Sequence, residues 1–422
     1  MSRIHRKNTI NNPFDRDGTG HPLPSLDRRE WLRRAAAAGL VVVLPIGCSR
    51  RAPGPAVEAD ALLRFPGKVP MRALNDSPPN LETPWRYFRE DLTPNEAFFV
   101  RWHLQFLPTT VDLRTWRLTV GGHVERPLEL SMDDLRRMKA TSVVAVNQCS
   151  GNSRGLFEPH VPGGQWGNGA MGNARWTGVP LGDLLRRAGV GDGAVDVSFA
   201  GLDRGGYRTV PDFVKSLDLA RASDPEVLVA YEMNGEPLPL LNGFPARLVV
   251  PGWYATYWVK ALTEVTVLPQ RFAGFWMNPA YRIPTTPNAV ESPSELAPAK
   301  DLVPINRMNV RSFFTAPERG SRQVRGQVCW LEGIAFDGGD GIRRVEVSLD
   351  GGGSWREAEL GDDLGRFSFR RWRLAWRPQV AGRPRLLVRA VNGAGETQAA
   401  EPGWNRSGYM RNVIEEWTVE VV

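Results

Sequence analysis

The residues best suited to chemistry lie between Val146 and Val179, in the stretch VNQCSGNSRGLFEPHVPGGQWGNGAMGNARWTGV. Cys149, one of three cysteines in the chain, sits there with Asn147, Gln148, Asn152, Arg154, Asn168, Asn173 and Arg175 among many glycines and few aliphatic residues. Such a composition does not build a core. Glycine lets a backbone approach a bulky ligand closely, and amides and guanidinium groups donate to an anionic or heteroatom-rich one. The stretch therefore reads as the bed of a large cofactor. Cys149 has three readings: half of a structural disulfide, a nucleophile served by His160 as base, or a thiolate metal ligand whose anionic form Arg154 favours. Residue chemistry leads towards the third and leaves the other two open.

Other candidates are spread along the chain. In EAFFVRWHLQFLP, Phe98, Phe99 and Val100 start a buried strand, and strand alternation places Arg101 and His103 on one face. An ordinary surface arginine and a core histidine are the alternative. Asn242, Arg247 and Lys260 belong to YEMNGEPLPLLNGFPARLVVPGWYATYWVK, where Asn234-Gly235 and Asn242-Gly243 also serve as turn signals and the charges as strand flanks. Tyr281 lies in the Pro-rich, irregular segment from Arg271 to Asn306. Cys329, beside Val328, Trp330 and Leu331, is expected to be a buried core thiol.

The elements that must position these groups mix strands and helices without βαβ repetition, so an α+β fold is expected. TWRLTVGGHV reads as strand, turn and strand, and SMDDLRRMKA as a helix capped by Ser131 with acids in its first turn. VVAVNQC is a buried strand that delivers Cys149 at its end, and LGDLLRRAGV is an amphipathic helix stopped by Gly189. Beyond about residue 305 the runs QVRGQVCWLEGIAF, IRRVEVSLDGGGSWREAEL, GRFSFRRWRLAW and RPRLLVRAVNGAGE alternate between Gly and Asp turns, as in an antiparallel sandwich. The expected organisation is a leader over 1–51, a catalytic domain over 52–300 and an immunoglobulin-like domain over 301–422.

The chain of 422 residues is long enough for such domains, and its 42% hydrophobic and 23% charged content is that of a water-soluble protein. The formal charge of +7 is concentrated in residues 1–51, leaving the remainder near neutral, which excludes a broad nucleic-acid-binding surface. Arg28 and Arg29, followed by Trp31, Leu32 and the apolar run AAAAGLVVVLPIG, resemble a twin-arginine export signal, and a periplasmic location is expected. The run is shorter than the ~20 residues of a membrane span. Cys48 closes it as LPIGC, so a lipid anchor on Cys48 and ordinary cleavage near Pro55 and Ala56 are both open; the membrane is a partner only if Cys48 is lipidated. His160-Val-Pro-Gly-Gly is not a haem loop and no CxxCH is present, so no haem is expected in this chain and electrons must leave on another protein.

QCSGNSR and GNGAMGNARWTGVPL, then YEMNGEPLP with GFPARLVVPGW, then VEVSLDGGGSW, occur in an order that resembles the sulfite oxidase family of molybdenum enzymes. The resemblance implies a molybdenum-molybdopterin cofactor with Cys149 binding the metal, His103, Asn242, Arg247 and Lys260 holding the pterin and its phosphate, and Arg101, Arg154 and Tyr281 forming the substrate pocket. Animal sulfite oxidases carry His where this chain has Asn242. Relatives also send an arginine from the second domain towards the substrate, for which Arg370 or Arg371 is available. The implied activity is periplasmic oxidation of sulfite to sulfate with a cytochrome c as acceptor, in a homodimer formed through the second domain. Alternatives are a sulfane dehydrogenase in a thiosulfate-oxidising complex, a methionine sulfoxide reductase, a cysteine hydrolase, or a non-catalytic exported binding lipoprotein.

Overall fold

The computed structural model describes residues 65–207, 209–294 and 301–422. The export signal and Cys48 lie outside the described residues. The regular secondary structure among the described residues is mostly β. Among the described residues the α-helices are Met132–Arg137, Leu181–Ala188 and Leu219–Ala222, and none is long and apolar enough to cross a membrane.

Two sheets form the first half. In one, Thr141–Gln148, Met171–Pro180 and Leu228–Met233 run antiparallel side by side, with Glu236–Pro237 and Arg247–Val249 both pairing to Leu228–Met233. The other has the order Leu128–Leu130, Leu118–Gly122, Leu262–Leu268, Asp196–Gly201, Lys215–Asp218 and contains one parallel pairing, between Leu262–Leu268 and Leu118–Gly122. A small third sheet, Arg72–Asp76, Pro79–Glu82 and Val100–Arg101, covers one side. The helix starts and stops are those of the sequence pattern. Ser131 accepts from Asp134 N at 3.1 Å while Asp134 accepts from Ser131 N at 2.9 Å, a capping box. Leu181–Ala188 ends at Gly189, whose φ of 70° is left-handed.

The second half is a sandwich of two four-stranded sheets, immunoglobulin-like in architecture. Arg311–Ala316, Cys329–Phe336, Arg370–Trp376 and Glu359–Leu360 form one, and Arg356–Glu357, Ile342–Ser348, Arg385–Asn392 and Glu415–Thr418 the other. Leu331, Val345, Val347, Trp372, Leu386, Val388 and Trp417 fill the space between them. Cys329 packs against the margin of this core and is half-buried, not fully buried as expected, because it is the first residue of its strand, at the end of the face on which Leu331 is buried; among the described residues it is a free thiol.

The strand Arg311–Ala316 is buried along its whole length because it serves both halves. By strand alternation Phe314 faces the sandwich, where its ring meets Trp372 at 5.3 Å. Phe313 faces the first half and meets Trp85 at 5.1 Å and Phe88 at 5.7 Å. Arg311, two residues back and 1% exposed, points the same way as Phe313. It donates to Ser153 Oγ at 3.1 Å and Asn168 Oδ1 at 3.3 Å in the glycine-rich stretch, and to Glu415 Oε1 at 2.7 Å. Glu415 Oε1 also accepts from Arg411 at 2.6 Å. Glu415→Ala leaves both guanidinium groups buried without a counter-charge, and removal of one partner from a buried pair costs about 3–5 kcal/mol. Urea denaturation of the variant is expected to show a loss of that order.

Candidate active site

Thr141–Gln148 runs into the middle of the molecule and places Cys149 at its end, 8% exposed. Pairing with Met171–Pro180 sets Asn147 opposite Gly172, and a Cβ at Gly172 would fall 2.6 Å from the Phe98 ring, so glycine lets the strands close over that aromatic. The chain then turns through Asn152 N donating to Cys149 O at 3.0 Å, with Ser153 left-handed at φ 71°. Among the described residues Cys149 is a free thiol and forms no disulfide. His160 is exposed and does not line the recess around the thiol, so the expected nucleophile–base pair does not form.

The wall of that recess, whose cavity volume is ≈ 30 Å³, brings together Arg101, His103, Cys149, Asn242, Arg247, Lys260 and Tyr281. The strand expected to carry Arg101 and His103 is only Val100–Arg101; the chain bends after it, and both residues still reach the recess. No carboxylate lines the wall. Arg247 is buried with its Nη atoms on Asn242 O at 2.8 Å and Trp258 O at 3.3 Å and its guanidinium 4.9 Å from the centre of the Trp176 ring. Burial lowers its pKa to about 9. The Lys260 ammonium sits 4.6 Å from the centre of the Trp102 ring, and burial, then Arg247, push its pKa down while Asp203 opposes them. Carbonyls and ring faces thus stand in for a counter-ion at Arg247, and Asp203 answers Lys260 only in part, so the net positive charge attracts an anion.

Opposite the cations, His103 stacks on Phe213 at 4.0 Å and its Nε2 hydrogen-bonds the Tyr281 hydroxyl. Burial, followed by Arg101, Lys260 and Lys215, holds the imidazole well below its ordinary pKa. Burial and then Tyr409 hold the Tyr281 phenol well above its own. Both groups are then neutral, and the histidine tautomer sets which of them donates. Tyr281 has φ 57°, and its ring lies parallel to that of Tyr409 at 5.5 Å and above Lys215 Nζ at 5.0 Å.

Three arginines are placed differently from expectation. Arg154 does not line the recess: it donates to Ser407 O at 3.1 and 2.9 Å and lies over the Tyr409 ring at 5.1 Å. Neither Arg370 nor Arg371 reaches the pocket. Arg370 donates to Gly361 O at 2.9 Å, and Arg371 is clasped by Asp91 at 2.6 Å and Arg89 O at 2.9 Å, since their strand belongs to the sandwich sheet. What the second half contributes is the loop 405–410, whose Met410 N donates to Ser150 O at 3.1 Å and which brings Tyr409 against Tyr281. Tyr409 and Lys215 escaped the sequence reading. A lone lysine in the apolar run before SLDL is the one trace of Lys215; Tyr409 carries none beyond the turn residues around it.

The wall was tested for its fit to a molybdopterin. Asn147 Nδ2, Ser150 Oγ, Thr256 Oγ1 and Arg247 Nε are buried on it without a protein partner, where buried polar atoms are ordinarily satisfied. They match a ligand rich in hydrogen-bonding atoms and bearing negative charge. Among the described residues no cluster of three or more His, Cys, Asp or Glu is present, so a metal at Cys149 takes its other ligands from a cofactor. The residues fit the group.

Comparison with known proteins accords with this geometry. Residues 103–276 match the model of the oxidoreductase molybdopterin binding domain, and residues 303–421 that of the Mo-co oxidoreductase dimerisation domain. Fold and site define a molybdopterin oxidoreductase. Mitochondrial sulfite oxidase of Mus musculus is 36% identical over 87% of this chain and 69% of its own length, and sulfite oxidase of Arabidopsis thaliana is 32% identical over 76% and 86%. The sulfane dehydrogenase SoxCD of Paracoccus pantotrophus superposes with a TM-score of 0.71 at 26% identity, covering 94% of this chain and 97% of the matched chain. The chain belongs to the sulfite oxidase family.

The buried Lys215 yields a pH test. Burial lowers its pKa from 10.5 to about 7, so between those values the unfolded chain binds a proton that the folded one has released, and stability rises with pH across the window. Lys215→Met is expected to remove up to about 1.4 kcal/mol per pH unit from that slope. Denaturation of cofactor-free protein between pH 7 and pH 10 measures it.

Proposed function

We propose that this chain is a molybdopterin-dependent sulfite dehydrogenase that oxidises sulfite to sulfate and passes electrons to a cytochrome c. The observation that carries the reading is the convergence of Arg101, Arg247 and Lys260, without a carboxylate among them, on the recess that holds the Cys149 thiol. The cofactor, when bound, supplies the two-electron redox chemistry and the oxygen transfer. Cys149 holds the metal as a thiolate. Arg247 and Lys260, with the unpartnered Asn147, Ser150 and Thr256, bind the pterin and its phosphate.

Arg101 balances the charge of the bound oxyanion. Tyr281 keeps its proton at neutral pH and can turn its hydroxyl from His103 to a substrate oxygen, a fixed donor in a water-poor wall. The loop around Tyr409 packs its ring against that of Tyr281 and so backs the wall of the recess from the second domain. That domain, by its family, supports a homodimer. Arg28, Arg29 and the apolar run after them support export to the periplasm by the twin-arginine route.

One observation favours the sulfane dehydrogenase reading as second choice. The sulfane dehydrogenase SoxCD superposes over 94% of this chain with a TM-score of 0.71, which supports a protein-bound sulfur as the alternative substrate.

Steady-state reduction of cytochrome c, or of ferricyanide in its place, by molybdenum-replete protein tests the proposal. Sulfite-dependent turnover is expected, and its loss in Cys149→Ser. Tyr281→Phe is expected to lower kcat/KM by about 10²-fold, the effect of removing one oriented donor. Absence of sulfite turnover in protein that contains molybdenum contradicts the sulfite reading and moves the choice to the carrier-bound sulfur substrate.

A further inference from the structure

Lys68 lies ahead of both matched family regions and is buried, 6% exposed, beneath the recess. Its ammonium has three hydrogens and faces three oxygens: Asn95 O at 2.8 Å, Phe98 O at 3.0 Å and Asn242 Oδ1 at 2.7 Å. All its donors are therefore used, and two of the acceptors are backbone atoms that cannot turn away. The third is the side chain of a recess residue. A side-chain amide has two orientations of similar shape, and only its partners decide between them. An ammonium cannot accept a hydrogen bond, so Lys68 pins Oδ1 to itself and leaves Nδ2 to donate to Phe99 O at 3.0 Å. One Nδ2 hydrogen remains. The backbone of the same residue is also fixed, because Asn242 O accepts from Arg247 Nη1 at 2.8 Å.

We propose that Lys68 is a positioning residue for the cofactor: by locking the Asn242 amide it directs the remaining Nδ2–H of Asn242 at an acceptor of the pterin. The inference rests on the molybdopterin reading of the recess. Without Lys68 only the Phe99 O contact orients the amide, and its remaining Nδ2–H is aimed less strictly at the acceptor it otherwise binds.

The experiment compares the molybdopterin content of wild-type, Lys68→Met, Asn242→Asp and doubly substituted full-length protein, purified at pH 6 from one host that makes the cofactor. At that pH, below the value of about 7 to which burial brings Lys68, the ammonium is the form present. The melting temperature of each cofactor-free protein is measured beside it. Asn242→Asp keeps the Lys68 contact but loses the bond to Phe99 O and offers no donor, so its pterin content is expected to fall about tenfold, the effect of one hydrogen bond, while the cofactor-free protein still shows a cooperative melting transition. Lys68→Met is expected to lose a similar amount, and the double variant no more than either alone, because both act through one amide. Full pterin in Asn242→Asp overturns the inference even if Lys68→Met does not fold, and so does a double variant that loses the product of the single losses. A wild-type chain that carries no pterin contradicts the cofactor reading itself, a failure distinct from that of Lys68.

Discussion

The constraint on which the structure depends is the burial of more positive than negative charge around one recess. Arg247, Lys260 and Arg101 converge there; the groups facing Arg247 and Lys260 include carbonyl oxygens and the rings of Trp176, Trp258 and Trp102, and the buried Asp203 offsets only part of the charge of Lys260. Such an arrangement costs folding free energy, as the lowered pKa values of Arg247 and Lys260 record. Dipoles and ring faces hold a cation in place yet leave its charge available to a ligand. An anion entering the recess recovers the electrostatic energy that folding leaves unsatisfied. Cofactor binding and protein stability are then linked.

Two folding units share that burden. The glycine-rich stretch around Cys149 has little apolar surface of its own, so its shape is imposed from outside. Arg311 of the sandwich ties Ser153 and Asn168, the 405–410 loop ties Ser150 and Arg154, and Phe313 carries the core of the first half into the second. The second half thus supports the site's wall from behind. This gives a physical reason for the two domains to travel together in one chain.

Much of this was legible from residues whose role is local. Ser131 with Asp134, Gly189 after its helix, and the alternation of the second half specify elements through neighbours in sequence, and the structure has them. Cys149 at the end of a buried strand could be read in the same way, and Arg247, Lys260 and Tyr281 were found by the order of their motifs. What escaped reading depends on contacts between distant segments. Arg370 and Arg371 look free in FRRW, but Asp91 and Gly361 take them up. Arg154 looks like a pocket residue until Ser407, far along the chain, accepts its hydrogens. Tyr409 and Lys68 gain meaning only when loops separated by most of the chain close on Tyr281 and Asn242. Periodicity carries no information on such pairings.

The central claim is that Cys149 is the one protein atom source bound to molybdenum, with the cofactor's dithiolene supplying the other sulfurs. X-ray absorption at the molybdenum edge of the purified protein and of Cys149→Ser counts them directly. The account predicts a sulfur shell that loses one member on substitution, with the metal retained in part by the pterin and the cationic wall. An unchanged shell in Cys149→Ser, or a protein that binds no molybdenum when produced by a host that makes the cofactor, would contradict it.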